Sequence, residues 1–148
     1  MSAAYVSVEL RRFVVSRAEE LCEYCLIHED DTFFGCQIDH IISEKHGGTT
    51  HADNLSYACL FCNLHKSSDI ATFIPKTQML VRFFNPRVDR WCDHFLVDID
   101  GITILPLTDI GEATARILGF NSEERLRERQ ALKSVGRYPT AAARKPMG

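Results

Sequence analysis

The sequence predicts an α+β protein: a strand, a long loop, a second strand and a helix held by four cysteines, with an N-terminal helix before them and a hairpin and helices after. Three observations carry this reading. Two Cys-x-x-Cys pairs, Cys22/Cys25 and Cys59/Cys62, bracket residues 26–58, 33 in all. Inside that bracket Cys36–Ile42, CQIDHII, is β-branched and apolar enough for a buried strand. Ahead of it Leu10, Phe13, Val14, Ala18 and Leu21 recur at helical spacing. With 148 residues, 45% of them apolar, the chain can bury one sizeable core.

In chain order, the helix opens at Ser7 and is expected to end near Cys22, where CEYC makes a compact turn. HEDDTFFG, residues 28–35, is a polar acidic loop into the first strand, and SEKHGGTTHAD, residues 43–53, is a second loop rich in Gly, Thr and Asp. Asn54–Ala58 is a short second strand closing a long-looped hairpin. Cys59–Cys62 is another tight turn, and NLHKSSDIATF, residues 63–73, reads as a helix starting at about Cys62 or Asn63. Beyond Pro75, Met79–Phe84 is a strand candidate. HFLVDI and ITILPL flank Asp100-Gly101, which suits a type I′ hairpin turn. Thr108 is an N-cap for DIGEATARIL, with Gly119 as its stop. Asn121 to Glu124 has capping-box spacing ahead of ERLRERQALK, and the tail past Gly136 has the composition of a disordered segment. The expected division is 1–74 for the core with its helix, 75–136 for the extension packed on it, and 137–148 for the tail.

The formal charge of −3 excludes an indiscriminately basic coat, yet it is uneven: residues 1–70 hold 5 Lys/Arg against 11 Asp/Glu, and residues 71–148 hold 12 against 9. A polyanion would be drawn to the second half or to local patches. The start MSAAYVSVELRRF lacks a signal-peptide apolar core, and no run approaches membrane-spanning length. A cytoplasmic, reducing setting without membrane contact is therefore expected, where paired cysteines hold metal more often than disulfides.

Cys22, Cys25, Cys59 and Cys62 together supply the four thiolates of a closed tetrahedral zinc site, with no open position for water, so this Zn²⁺ is expected to be structural. Closing it brings Asp39-His40 towards Asn63, which follows the last ligand. A charged acid inside an apolar strand is costly unless it is paired or binds a cation. The Asp39 carboxylate and the Asn63 carbonyl are hard oxygen donors suited to Mg²⁺ or another divalent ion. His40 is the base nearby, and Lys66, three residues past Asn63 on the same helix face, is placed to meet a phosphate. Adjacent strand residues point to opposite faces, so Asp39 and His40 share a site only if the strand ends or twists there.

The ordered elements CEYC, IDHII, HGG, DNL and AC-x-x-CN-x-x-K resemble the zinc-containing branch of the HNH endonucleases, over roughly Arg17 to Ala71. The resemblance implies a ββα-metal core and hydrolysis of DNA phosphodiester bonds. It makes His40 the first letter of the motif, Asn54 the second and Asn63 the third, a position where many members have histidine and asparagine is a frequent variant. It further implies that His40 activates water, that Asp39 and Asn63 hold one divalent ion at the leaving 3′ oxygen, and that Asn54 braces the loop that orients His40. DNA would be bound mostly through its phosphate backbone.

Other residues stay with plainer roles. His46, His28 and His51 read as loop residues, and His65 stands about 200° around the helix from Asn63. Cys36 and Cys92 read as small half-buried residues. In FFNPRVDRW and the arginine before it, Arg82, Arg87 and Arg90 suit phosphate contacts, while Phe83, Phe84 and Trp91 equally suit packing. The helix from Ser122 to Ser134 reads as a solvated cap or as an arm tracking a backbone. Two rival functions stand beside the nuclease: a non-catalytic zinc-stabilised nucleic-acid-binding module, and a regulatory interaction protein working through its C-terminal half.

Overall fold

The computed structural model, which describes residues 5–148, has three two-stranded antiparallel sheets and six α-helices. Helix α1, Val8–Arg17, starts where Ser7 Oγ accepts from the Leu10 amide at 3.1 Å, with Glu9 in its first turn and Arg17 in its last. It stops short of the expected Cys22. Ala18 closes it, and Glu19 and Glu20 take positive φ to steer the chain into the first knuckle. There the Leu21–His28 bridge and the Cys22 amide on the Ile27 carbonyl shape residues 22–27 into a loop. Val14 of α1 and Ala18 just past it pack on Leu55 and Tyr57, a small core separate from the main one.

Strand β1, Cys36–His40, pairs with β2, Leu55–Cys59, in a register that sets Asp39 opposite Ser56 and His40 opposite Leu55. All five residues of β2 are buried. Helix α2, Leu60–Lys66, begins directly after it because Cys59 is the N-cap, its Sγ accepting from the Cys62 amide at 3.4 Å. The second Cys-x-x-Cys is therefore the first turn of the helix. β1, β2 and α2 form the ββα unit, and the mixed α+β class is as expected.

Three local expectations need correction. Residues 71–73 are not helical: α2 ends at Lys66, Ser67 takes φ 50°, and β3, Ala71–Ile74, pairs with β4, Met79–Arg82. Thr72, Phe73 and Ile74 are β-formers, and a partner strand four residues on outweighs continuation of the helix. The division expected after residue 74 thus falls inside this hairpin. Second, β5, Phe95–Val97, and β6, Ile104–Pro106, are joined by residues 98–103 and not by a two-residue turn. A type I′ turn needs positive φ at both centres, and of Asp100 and Gly101 only the glycine has it. Asp100 instead accepts from the Ile102 and Thr103 amides. Third, the tail is ordered. Helix α6, Ala141–Met147, is capped by Thr140, and Tyr138 is buried with its hydroxyl donating to the Cys25 carbonyl at 3.0 Å.

Between these lie α3, Trp91–His94, α4, Asp109–Ile117, and α5, Glu123–Ser134. Thr108 caps α4 and Gly119, at φ 65°, ends it as the sequence suggests. Ser122, not Asn121, caps α5. Asn121 is occupied elsewhere, accepting from the Ile104 amide and donating to the Ile104 carbonyl, so it fastens β6 to the start of α5.

The main core spans the parts that the sequence separates. Leu21, Tyr24, Ile27 and the four paired cysteines share one buried cluster with Phe83, Phe84, Trp91, Phe95 and Phe120. Trp91 Nε1 donates to the Tyr24 carbonyl at 2.8 Å, and Phe84 meets Tyr24 and Phe95 edge-on. The aromatic residues of FFNPRVDRW are thus core, laid against the first knuckle.

Removing residues 137–148 should therefore lower the stability of the remainder by about 2–4 kcal/mol, the burial of one tyrosine and its neighbours plus a hydrogen bond. Thermal denaturation of the shortened protein measures this, and an unchanged midpoint would mean that the tail does not pack.

Candidate functional site

Each Cys-x-x-Cys is a turn held by its own amide: Cys25 N–H donates to Cys22 Sγ at 3.5 Å, and Cys62 N–H to Cys59 Sγ at 3.4 Å. The hairpin then carries the second turn to the first. All four sulfurs lie within 4.8 Å of one another and are buried, with Cys25 and Cys59 Sγ 3.8 Å apart. A tetrahedron with metal–sulfur bonds of about 2.3 Å has edges of about 3.8 Å, so the residues fit a structural zinc. Burial pushes the Cys22 and Cys62 thiols well up. At Cys25 burial is outweighed by hydrogen bonds from the other three cysteines and by the charge of Arg125, and the thiol is held well down. Arg125 comes from α5, where the sequence suggested a solvated cap or an arm; it is 1% exposed and its Nη2 stands 3.0 Å from Cys25 Sγ. No periodicity in ERLRERQALK marks it, because its surroundings are sulfur and not an apolar stripe.

Asp39 lies on the inward face of β1 and is 6% exposed. Its Oδ2 receives Tyr24 Oη and Ser56 Oγ, both at 3.4 Å, and Lys66 Nζ at 3.1 Å. Burial raises its pKa, and the Lys66 charge opposes the rise. Lys66 Nζ also donates to the His40 carbonyl at 3.0 Å. Lys66 is 1% exposed, so the expected phosphate contact is corrected: this ammonium is an internal counter-ion. Asp39 Oδ1 has no protein hydrogen-bond partner among the described residues.

His40 is the last residue of β1, so the strand ends where the sequence requires it to for Asp39 and His40 to share a site, and it is half-buried. Its Nε2 lies 2.9 Å from Thr50 Oγ1, while Nδ1 has no partner among the described residues. Thr50 belongs to the loop between β1 and β2, which Asn54 ties down. Asn54 Oδ1 accepts from the Ile42 amide at 2.9 Å, and Nδ2 donates to the carbonyls of Ile42 and Thr49 at 2.9 and 2.8 Å. Gly48 fits under this brace only without a side chain, since a Cβ there would stand 1.6 Å from the Ile42 carbonyl oxygen.

Asn63, on α2, donates through Nδ2 to Gln37 Oε1 at 2.7 Å, so it faces the same side of β1 as Asp39 but one pleat earlier. No hydrogen bond joins it to Asp39, whose neighbour on α2 is Lys66, one turn on. Its side-chain oxygen has no partner among the described residues. The expected oxygen pair is thus on one face but not in contact.

The arginines expected on phosphates divide. Arg87 bonds the Leu55 carbonyl and Glu23, so it braces the edge of β2 and is withdrawn from that expectation. Arg82 forms a two-point pair with Asp89 at 2.8 Å, which raises the Arg82 pKa and lowers that of Asp89. Arg90 is exposed, with Cys92 Sγ at 3.7 Å as its partner. His65 is exposed and stacks on Phe61, and His28 lies outside the sulfur cluster, between Glu20 and Asp30. Thr50, Tyr24, Ser56 and Arg125 are site residues that sequence reasoning missed. Only Ser56 had a signal, its place across the hairpin from Asp39.

The resemblance read from the sequence holds in comparison with known families: residues 22–69 match the HNH endonuclease family. That segment contains both knuckles, the β1–β2 hairpin and α2. No curated protein and no solved structure is significantly similar to the chain. No helix among the described residues is long and apolar enough to cross a membrane.

Lys66→Met should destabilise the fold by about 3–5 kcal/mol, because it strands a buried carboxylate. Adding Asp39→Asn should return much of that loss, and a melting curve unchanged by Lys66→Met alone would refute the pairing. Gly48→Ala should open the loop, read as faster tryptic cutting after Lys45. Cutting at the wild-type rate would show that the loop is not closed over Ile42.

Proposed function

We propose that the protein is a metal-dependent HNH endonuclease that hydrolyses DNA phosphodiester bonds. The observation that carries this reading is the state of His40. One ring nitrogen is held by Thr50, the other is bare, and the loop that holds it is fixed by Asn54 inside the segment matching the HNH endonucleases. In the tautomer whose Nε2–H donates to Thr50 Oγ1, Nδ1 at the end of β1 is the ring's acceptor. There it can take the proton of a water as the water oxygen attacks phosphorus and the 3′ oxygen departs. Asn54 acts through this arrangement as a positioning residue.

A divalent ion would be held by Asp39 through Oδ1 and by Asn63 through its side-chain oxygen, both hard donors without protein partners. When bound, such an ion supplies stabilisation of charge on the leaving oxygen. DNA would be held mostly by its phosphates, with exposed Arg90, and Arg82 beside Asp89, among the guanidinium groups open to it. Binding should then weaken steeply with salt.

One observation favours a second reading, the non-catalytic nucleic-acid-binding module. Lys66 already neutralises Asp39, so the carboxylate has a structural use without any cation. The two readings separate in a plasmid assay across Mg²⁺, Mn²⁺ and other divalent ions. The nuclease should cut, and His40→Ala should cut about 10²–10⁴-fold more slowly with zinc content unchanged. Retarded DNA in a gel with no cutting under any ion would leave the binding module, and full activity in His40→Ala would remove His40 from the chemistry.

A further inference from the structure

The two knuckles serve their sulfurs unequally. In each pair the amide of the second cysteine donates to the sulfur of the first, Cys25 to Cys22 and Cys62 to Cys59. Among the described residues no backbone amide donates to Cys25 or Cys62 Sγ. Arg125 donates to both, through Nη2 at 3.0 Å to Cys25 and Nη1 at 3.6 Å to Cys62, with Nη2 also 3.8 Å from Cys59. Its guanidinium is fixed on two further sides. Nε donates to Glu128 Oε1 at 2.9 Å, and the central carbon lies 4.4 Å from the ring centroid of Phe61, inside the second knuckle.

Charge tells the same story. Four thiolates around a divalent cation carry a net charge of −2, which is costly to bury. Helix α5 brings two buried cations to this place. Arg129 follows Arg125 by one turn and is also fully buried, its Nη2 on the Phe120 carbonyl at 2.6 Å and its Nη1 without a partner. Like charges four residues apart on a helix repel, and burying both is expensive unless opposite charge stands close. Glu128 supplies one negative charge at the edge of the pair; a metal–tetrathiolate dianion supplies the rest.

We propose that Arg125 is the outer-sphere counter-ion of a zinc-loaded clamp. It donates N–H···S bonds to Cys25 and Cys62 and, with Arg129 behind it, offsets the charge of the metal centre, so that zinc is retained by a residue 63 positions beyond the last ligand. Helix α5 is therefore the lid of the metal site. The inference rests on zinc in the clamp and is independent of the nuclease reading.

The test uses the full-length zinc-loaded protein and reads zinc transfer to a chromogenic chelator. Arg125→Met keeps the contact with Phe61 but removes donor and charge, and it should weaken zinc retention on the order of 10–100-fold, as loss of an outer-sphere partner does. Arg125→Lys, whose single ammonium reaches fewer sulfurs, should fall between that variant and wild type. Tyr138→Phe, which loses a bond to the Cys25 carbonyl and none to sulfur, should stay near wild type. In cobalt-substituted protein the thiolate-to-metal charge-transfer bands of Arg125→Met should move to lower energy, a change that loosened packing alone would not cause. If Arg125→Met fails to fold, Arg125→Lys carries the comparison. Release at the wild-type rate with unshifted bands, in whichever of the two folds, overturns the proposal, and so does wild-type protein that neither contains nor takes up zinc.

Discussion

Four sulfurs meeting at one buried point are the constraint from which the rest of the architecture follows. The clamp joins a turn after α1 to the first turn of α2 and so closes the chain around residues 26–58. Within that closure β1 and β2 have one register, set by Cys36 opposite Cys59 at one end and His40 opposite Leu55 at the other. A metal bound there contributes its binding free energy to folding, because the unfolded chain has no such cluster of ligands. The same point is the centre of the hydrophobic core, since the cysteines are packed among Tyr24, Ile27, Phe84 and Trp91.

The polar interior is arranged around two buried ion pairs of different character. At Asp39 a carboxylate is surrounded by an ammonium and two hydroxyls, all directed at the same oxygen. Such a pair adds little net stability over apolar packing, but it specifies where each element must sit. Lys66 fixes α2 against the end of β1, next to His40, and Asn54 fixes the far side of the same strand end. The imidazole is thereby restrained from its ring nitrogen and from its backbone. At Arg125 the partners are sulfurs, and the cation belongs to a helix remote in sequence. The first pair organises the candidate reaction site, and the second joins the extension to the metal clamp.

This gives the C-terminal half a structural reason to exist. Its strands are short two-stranded ribbons, which have little independent stability in water. They are held because Phe83, Phe84, Trp91 and Phe95 fill the space behind the first knuckle, and because Thr114 Oγ1 and Asn121 satisfy backbone groups of Phe84 and Ile104. Arg87, reaching the Leu55 carbonyl and Glu23, ties the FNPR turn to β2 and α1's end of the molecule. Of the twelve Lys/Arg of this half, Arg87, Arg125 and Arg129 are turned inward, and Arg82, Arg127, Arg137 and Lys145 stand at the surface beside carboxylates, so the excess of Lys/Arg is partly offset there.

Short-range chemistry was legible in the sequence. The spacing of Cys22, Cys25, Cys59 and Cys62, the β-branched run around Asp39, the helix start at Ser7, the cap at Thr108 and the stop at Gly119 each depend on residues within a few positions. The doubled knuckle also made the ββα unit readable, because a metal ligand must be near its fellow ligands wherever the chain goes. What the sequence left undecided were choices made by distant partners. Residues 71–74 became a strand because β4 lay beside them, and the tail was ordered by Cys25 and the core. Lys66 turned inward because Asp39 had no other cation, and Arg125 was drawn from a charged helix to three sulfurs. Burial of a charge depends on the sum of fields from several elements, and no local pattern encodes that sum. The sequence by itself determined which residues can do chemistry here, and the tertiary structure alone decided which of them are already engaged with one another.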